Sequence, residues 1–278
     1  MYKIAVVVGG TNTACALFKE NKIVKKTERR TEVASEEKLI EFIVKLIEEM
    51  KGERKIKKIG IGIPGPLDWK KGIVLNPPNI PVRNFPLKRF LEKKFGVKVT
   101  IENDANCSAL GIVKKKGVKD FVLLTLGTGV GGAIVVNGKL YRGMGNAGEL
   151  GHITIEASGY KCTCGNRGCL EEYVSARGFE RLAKKYLGKK LSPREIMELA
   201  LKGNKKAKKI YEEVGRYLGI GLATISNILN PEIIFLTGKI SLASSLLLRP
   251  AIKEMKKRVL VTPPKISVVK NMELYGAV

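Results

Sequence analysis

The chain is poor in aromatic residues and in histidine, and its apolar runs are short. Aromatic residues make up 6% of the 278 residues, and the only histidine is His152. No apolar run reaches the about 18 residues that a membrane-spanning helix needs. The first residues enter a strand-like segment, 4–8, without the charged and apolar regions of a signal peptide. We therefore expect a cytoplasmic protein with no membrane partner.

Acidic residues are also scarce, with 26 Asp and Glu against 51 Lys and Arg, a net charge of +25. Clustered basic residues would favour a nucleic-acid partner, because they release counterions from phosphates. Here they are spread over helix-like segments such as 202–209 and 253–258, without interleaved aromatic residues. Solvated basic faces explain this pattern better than nucleic-acid binding does, and affinity for an anionic substrate such as a nucleotide is the second interpretation.

Strand-like and helix-like segments alternate along the chain after an opening meander, which predicts an α/β fold. The predicted strands cover residues 4–8, 14–18, 22–27, 56–63, 97–101, 121–126, 133–136, 139–142 and 233–236. The predicted helices cover residues 36–50 and 87–95, a third follows Asp104 and runs through 113, and a longer helical stretch covers 176–229. With 44% apolar and 28% charged residues, the chain is expected to fold into packed globular lobes.

The two halves of the chain begin alike, with a strand, a glycine-rich turn and a second strand. This repetition predicts two duplicated lobes that close on a ligand, one over residues 1–118 and a larger one over 119–278, with the boundary near 113–119. The C-terminal end is the one segment that we consider for a return to the first lobe.

The glycine-rich turns, at 9–11 and 127–132, connect strands in the two predicted lobes. Backbone N–H groups in such turns can approach phosphate oxygens without obstruction by side chains. A tight turn is a sufficient explanation for either segment alone. As a pair at corresponding places, they favour a nucleotide site.

Asp104 stands where a predicted strand ends and a predicted helix begins. One interpretation is an N-cap residue, which stabilises a helix by about 1 kcal/mol. The other is a general base that takes a proton from an attacking sugar hydroxyl, with Asn103 orienting the substrate. One residue can serve both purposes.

The histidine and three of the five cysteines form a cluster, with nine, one and four residues between successive members. Three thiolates and one imidazole are the ligands of a closed structural zinc site, and the glycines between the thiols suit the tight turns of a metal knuckle. Reduced structural cysteines or a disulfide are the alternatives. The predicted zinc ligands are His152, Cys162, Cys164 and Cys169.

Two carboxylates, Glu149 and Glu171, flank this cluster in the sequence. A bound metal would pin both segments and so place two hydrogen-bond acceptors where sugar hydroxyls arrive. The remaining cysteines, Cys15 and Cys107, fall in a predicted strand and a predicted helix, and we interpret both as core thiols.

These motifs together resemble the ROK family of repressors, open reading frames and kinases, which includes bacterial and archaeal glucokinases and N-acetylmannosamine kinases. The resemblance spans nearly the whole chain. It implies an actin-like ATPase (ribonuclease H-like) fold with two lobes and a central cleft, binding of a hexose and of ATP with Mg²⁺, and a homodimer. The motifs that carry it are Gly9-Gly10-Thr11, Gly62-Ile63-Pro64-Gly65-Pro66, Pro78-Asn79, Glu102-Asn103-Asp104-Ala105-Asn106, 126–132, Gly148-Glu149-Leu150-Gly151-His152 and 162–171.

The resemblance also implies roles for single residues, with Asp104 as the catalytic base. The implied sugar contacts are Gly65, Asn79, Asn103, Asp104, Glu149, His152 and Glu171. The implied phosphate contacts are Gly9, Gly10, Thr11, Gly127, Thr128, Gly129 and Gly131, and Gly238 is implied to lie beside the adenosine.

Three features depart from the family pattern. Val7 stands two residues before the Gly-Gly pair, where an aspartate that helps to organise Mg²⁺ and phosphate is usual, and its loss would weaken charge stabilisation in the transition state. Lys239 replaces a second glycine near the adenosine. The chain stops at 275–278, where relatives continue into a terminal helix, so we expect a less well covered first lobe.

We weigh three functions for the chain. The first is an ATP-dependent hexose kinase, with glucose at its 6-hydroxyl preferred over fructose or N-acetylmannosamine. The second is a sugar-binding protein with impaired or no kinase activity, which Val7 motivates. The third is a transcriptional repressor, which we disfavour because the sequence offers no N-terminal helix-turn-helix.

Overall fold

The computed structural model describes residues 1–77 and 80–278. The chain divides into two compact units, one formed by residues 1–119, 134–147 and 271–278 and the other by 120–133 and 148–270. We call them unit 1 and unit 2. Asn79, implied as a sugar contact, lies outside the described residues. Within the described ranges, no helix is long and apolar enough to cross a membrane.

Unit 1 is built on a five-stranded sheet of order β3-β2-β1-β4-β7. Its strands are β1 Tyr2–Val8, β2 Asn12–Lys19, β3 Lys22–Arg30, β4 Ile56–Ile63 and β7 Lys98–Asn103, and a separate two-stranded sheet pairs β5 Leu67–Asp68 with β6 Ile73–Val74. β1 is antiparallel to β2 and parallel to β4, and β4 is parallel to β7. The register pairs Ile63 with Asn103, so the carboxyl ends of β4 and β7 lie side by side.

Helices cover both faces of this sheet. They are α1 Glu36–Lys51, α2 Leu87–Phe95, α3 Asp104–Lys116 and, at the C-terminal end, α9 Glu273–Ala277. α1 begins at the cap Ser35, whose hydroxyl accepts a hydrogen bond from Lys38 N, and it buries Leu39, Ile43 and Leu46 at helical spacing against the strands. A smaller apolar cluster on β1 and β2 packs against Leu274 of α9.

Unit 2 contributes most of the second five-stranded sheet, whose order is β10-β9-β8-β11-β12. Its strands are β8 Phe121–Leu126, β9 Val130–Val136, β10 Lys139–Leu140, β11 Ile233–Thr237 and β12 Lys265–Val268. β8 and β12 both run parallel to β11. Taken in chain order, the strands of the two sheets have the same arrangement, which agrees with the repetition that the sequence shows.

The helices of unit 2 enclose the larger apolar core. They are α4 Glu171–Val174, α5 Ala176–Leu187, α6 Pro193–Leu201, α7 Lys205–Leu229 and α8 Ser244–Lys256. The stretch predicted as helical over 176–229 is therefore three helices. α5 ends at Gly188 with a left-handed backbone, and α6 begins with a capping box between Ser192 and Glu195.

Candidate functional site

The junction between β7 and α3 holds the predicted base. Asn103 is the N-cap of α3, because its Oδ1 accepts hydrogen bonds from Ala105 N at 2.9 Å and Asn106 N at 3.2 Å. The interpretation of Asp104 as the cap is therefore wrong. Asp104 is the first helical residue, and its Oδ1 also accepts from Ala105 N at 2.9 Å. The Asp104 carboxylate is therefore held at the start of α3 by its bond to Ala105 N.

Gly65 follows β4 and lies beside this junction. Asn103 Nδ2 donates to Gly65 O at 3.4 Å, so the cap residue also fixes the neighbouring loop. Gly65 has φ of +90°, and a Cβ there would lie 2.4 Å from the Cβ of Pro77. Only glycine satisfies both conditions. The structure thus brings Gly65, Asn103 and Asp104 together.

An ion pair that the sequence analysis missed supports the same junction. Glu102 accepts from Arg142 through both oxygens, at 3.1 and 2.6 Å, and from Asn106 Nδ2 at 2.9 Å. The guanidinium of Arg142 also lies 4.5 Å from the centre of the Trp69 ring. Bidentate pairs between arginine and a carboxylate restrict the relative orientation of the two side chains. Glu102 and Arg142 are far apart in sequence, and no local pattern connects them.

The turn at 9–11 joins β1 and β2 as a tight hairpin. Gly9 N donates to Asn12 O at 3.0 Å, and the hydroxyl of Thr31 donates to Gly9 O at 2.7 Å. Val7, the departure from the family pattern, is 8% exposed and belongs to the apolar cluster of Cys107 and Leu274. Its side chain is therefore part of the packing of unit 1.

The second glycine-rich segment, 127–132, turns at 127–129 and enters β9 at Val130, earlier than the sequence predicted, and several hydrogen bonds hold it in unit 2. Gly127 N donates to Gly129 O at 3.0 Å, Gly131 N donates to the Thr125 hydroxyl at 3.0 Å, and Val130 N donates to the Glu171 carboxylate at 2.8 Å. Thr128 is exposed at the tip of the turn.

Gly238 lies against the start of this turn. It has φ of +93°, and a Cβ there would lie 2.3 Å from Leu126 O, the last residue of β8. Gly238 and Lys239 are both exposed. The structure therefore brings the implied adenosine contact and the second glycine turn together.

The predicted zinc ligands converge in unit 2, with one ligand atom from each of the four residues within 4.8 Å of the others. Cys162 Sγ lies 3.7 Å from His152 Nδ1, and Cys164 Sγ lies 3.7 Å from Cys169 Sγ. Two sulfurs of one zinc tetrahedron are about 3.8 Å apart when each zinc–sulfur bond is about 2.3 Å. A disulfide would require about 2.0 Å. The donor set and its spacing fit a tetrahedral metal.

Two glycines shape the loop that carries the thiols. Gly165 N donates to Cys162 O at 3.0 Å, which closes a tight turn between Cys162 and Cys164. Gly168 has φ of +69°, and a Cβ there would lie 1.6 Å from Glu156 O. The backbone at Gly168, just before Cys169, therefore approaches the backbone of Glu156 so closely that only glycine fits.

The carboxylates that flank this cluster differ in environment. Glu149 is exposed by surface area, yet protein atoms crowd its carboxyl, and this desolvation raises its pKa, with His152 opposing and Glu171 reinforcing the shift. Glu171 is 7% exposed. One of its carboxylate oxygens accepts a hydrogen bond from Val130 N, and the other accepts one from Arg177. The adjacent Glu172 pairs with Arg177 at 3.1 Å and with Arg181 at 2.9 Å.

Comparison with solved structures defines the fold class of the chain. A ROK family glucokinase from Streptomyces griseus, in complex with glucose and AMPPNP, superposes with a TM-score of 0.87 at 30% identity, covering 100% of this chain and 98% of the other. The chain thus has the α/β fold of the actin-like ATPases.

Within that class, the ROK family model matches residues 3–275, and the chain belongs to the ROK family. It is 37% identical over 268 residues to the glucokinase of Thermotoga maritima, covering 89% of this chain and 84% of that protein. It is 35% identical over 234 residues to the xylose repressor of Caldicellulosiruptor bescii, covering 76% of this chain and 59% of the repressor.

Proposed function

We propose that this protein is a sugar kinase that transfers the γ-phosphoryl group of ATP to a hexose, with the 6-hydroxyl of glucose as the preferred acceptor. The observation that carries the proposal is the Asp104 carboxylate, fixed at the start of α3 beside Asn103 and Gly65. The resemblance to a glucokinase at 37% identity, and to a structure that contains glucose and AMPPNP, supports it.

In the proposed mechanism, Asp104 accepts the proton of the attacking hydroxyl. The freed oxygen forms a bond to the γ-phosphorus as the bond to the departing ADP oxygen breaks. Phosphoryl transfer depends chiefly on positioning and on charge neutralisation, and Mg²⁺ bound with ATP supplies part of that neutralisation. Glycine turns 9–11 and 127–132 are proposed to offer backbone N–H groups to the phosphates, and Gly238 to lie beside the adenosine. The proposed sugar contacts are Gly65, Asn79, Asn103, Glu149, His152 and Glu171.

We propose zinc as the metal of the cysteine cluster, held by His152, Cys162, Cys164 and Cys169. Its contribution would be structural, because four protein ligands leave no open position. The ligands join the short helical turn Leu150–His152 to the loop before α4. Metal binding would therefore fix Glu149 and Glu171 relative to each other.

The second candidate is a sugar-binding protein with little or no kinase activity. Val7 favours it, since an apolar side chain replaces a carboxylate that would organise metal and phosphate, and it packs among other apolar residues. The likeness to a xylose repressor supports the same alternative. This candidate predicts affinity for sugar without turnover.

The deciding experiment measures ADP release with Mg²⁺ and ATP over a panel of hexoses and N-acetylhexosamines. The chain is compared with its Val7→Asp variant and with Val7→Asn, a control of similar size without the charge. Turnover of one sugar by the unaltered chain would support the kinase and name its substrate. Turnover by Val7→Asp alone would favour the sugar binder, and no turnover by any of the three would refute the kinase.

We further propose a homodimer, as the family resemblance implies. Light scattering during size-exclusion chromatography gives the mass of the particle, which a dimer would place at twice the 30.5 kDa of the chain.

A further inference from the structure

Glu171 connects the glycine turn 127–132 to an arginine that the proposed mechanism does not use. We propose that Arg177 is a positioning residue: acting through Glu171, it holds the backbone of that turn and so sets the affinity for nucleotide phosphates. The inference rests on the proposed function only in assigning phosphate binding to this turn.

The connection consists of two hydrogen bonds on one carboxylate. Glu171 Oε2 accepts from Val130 N at 2.8 Å, and both residues are buried. Glu171 Oε1 accepts from the guanidinium of Arg177. Each carboxylate oxygen therefore has a different partner, and the orientation that suits Arg177 also presents an acceptor to the turn.

Further contacts tie the same two segments together. A Cβ on Gly129 would lie 2.4 Å from Glu171 Oε2, so the carboxylate packs directly against the turn. Ala176 N, at the start of α5, donates to Gly127 O at 2.9 Å. The segment 171–177 thus holds the first residue of the turn, Gly127, and the residue at which β9 begins, Val130, so a shift of Glu171 would displace the backbone between them.

The charges explain why Arg177 is needed. Glu171 and Glu172 are adjacent buried carboxylates, and Arg177 is the residue that pairs with both, whereas Arg181 pairs with Glu172. Removing one partner of a buried ion pair leaves a charge that must move or take up a proton. Without Arg177, Glu171 would lose its charged partner, and its carboxylate would turn towards water and weaken its hydrogen bond to Val130 N.

This role differs from the sugar contact proposed for Glu171. A sugar contact affects nucleotide binding only when sugar is present. A positioning role changes nucleotide binding in the absence of sugar, because the hydrogen bond to Val130 exists in the protein alone.

The test compares Arg177→Gln with Arg181→Gln. The two arginines lie on the same helix and have similar side-chain exposure, 36% and 32%, so Arg181→Gln controls for loss of a buried ion pair without loss of the Glu171 contact. Calorimetry measures the Kd of Mg²⁺–AMPPNP without sugar. We expect Arg177→Gln to raise this Kd on the order of ten-fold, the scale of a lost charged hydrogen bond, and Arg181→Gln to change it less than about two-fold. Arg177→Lys, which keeps the charge, should recover part of the loss.

Amide hydrogen exchange gives a readout that needs no ligand. We expect the Val130 amide to exchange faster in Arg177→Gln and at the unaltered rate in Arg181→Gln, at a temperature where both variants are folded. Equal effects of the two substitutions on the Kd or on the Val130 amide would overturn the inference, as would an unchanged Kd in Arg177→Gln or an unaltered chain that does not bind AMPPNP.

These outcomes are separable from a failure of the proposed function. If Arg177→Gln weakens AMPPNP binding but the unaltered chain phosphorylates no sugar, the kinase proposal fails and the positioning role stands. If the chain is an active kinase and Arg177→Gln changes only the sugar Kd, the positioning role fails and the kinase stands.

Discussion

Asn103 and Asp104 show how far a sequence pattern can define a site. Both residue types can cap a helix, and they are adjacent, so the pattern alone could not choose between them. The choice depends on the backbone, since Asn103 is extended with φ of −64° and ψ of 145° and Asp104 is helical. The prediction that Asp104 is the base stays a prediction, whereas its assignment as the cap was wrong by one position.

Asp104→Asn tests the base directly. The amide oxygen can still accept from Ala105 N, so the helix start is preserved while the proton acceptor is lost. We expect kcat to fall by about 10²–10⁴, the usual contribution of a positioned general base, with the Kd of the sugar little changed. Steady-state kinetics and sugar titration measure the two quantities. Undiminished turnover would remove Asp104 from the mechanism.

Asn103→Ala separates the cap from the chemistry. Loss of the bonds to Ala105 N and Asn106 N should lower the free energy of unfolding by about 1 kcal/mol, measured by denaturant titration. Asn103→Asp, which keeps a capping oxygen, is the control and should retain most of the stability. Equal destabilisation by both variants would contradict the capping role.

At the scale of elements, the parts with strong local signals were predicted and the parts without them were missed. β4 and α2 have the predicted bounds because an apolar run and an amphipathic pattern end at proline and glycine. α8 contains Pro250, which argues against a helix in sequence, and it is stabilised by packing on α7, where a Cβ on Gly219 would lie 2.5 Å from Ala251 O. β12 has four residues, too few for a periodic signal.

The close approach of the four proposed zinc ligands could be predicted from their spacing in the sequence, because the three cysteines lie within one short loop and His152 lies in the turn before it.

We expect purified protein to contain about one zinc per chain, measured by mass spectrometry of the metal, and the Cys164→Ser variant to lose that zinc. Cys15→Ser, a buried cysteine outside the cluster, should keep the metal. Protein free of zinc, with reactive thiols at 162, 164 and 169, would contradict the assignment.

Metal removal should also separate the cysteines by reactivity. Burial raises the pKa of Cys15 to about 12 and raises that of Cys107 well above its usual value, so neither thiol should be alkylated in the folded protein near pH 8. After chelation of the metal, Cys164 should be alkylated first, since its side chain is exposed and the other cysteines are buried. Peptide mapping after alkylation distinguishes these sites, and early labelling of Cys107 would indicate unfolding.

At the scale of the whole molecule, the sequence predicted that both halves begin alike and allowed the C-terminal end to return to the first lobe, but it did not predict the other crossing of the chain between the units. Residues 134–147 and 271–278 belong to unit 1, although each follows a segment of unit 2. Arg142 reaches Glu102 by this route. Such pairings depend on tertiary packing between distant segments, which local periodicity does not encode.

The C-terminal segment covers a face of unit 1 through unusually close backbone contacts. A Cβ on Gly60 of β4 would lie 1.8 Å from Ala277 O, and one on Gly111 of α3 would lie 1.9 Å from Met272 O. Leu274 is 1% exposed in the apolar cluster that also contains Val7. α9 can therefore occupy this face only while both positions lack side chains.

Gly60→Ala should consequently displace α9 and lower the free energy of unfolding by about 1–3 kcal/mol, as overpacking of a close contact does. The control is a thermodynamic cycle in which the same substitution is made in a chain that ends at residue 272. Without α9 the added methyl group meets no carbonyl, so the substitution should change stability by less than about 0.5 kcal/mol there. An equal loss in both chains, measured by denaturant titration, would mean that Gly60 is required by the strand itself and that the close contact with α9 does not determine stability.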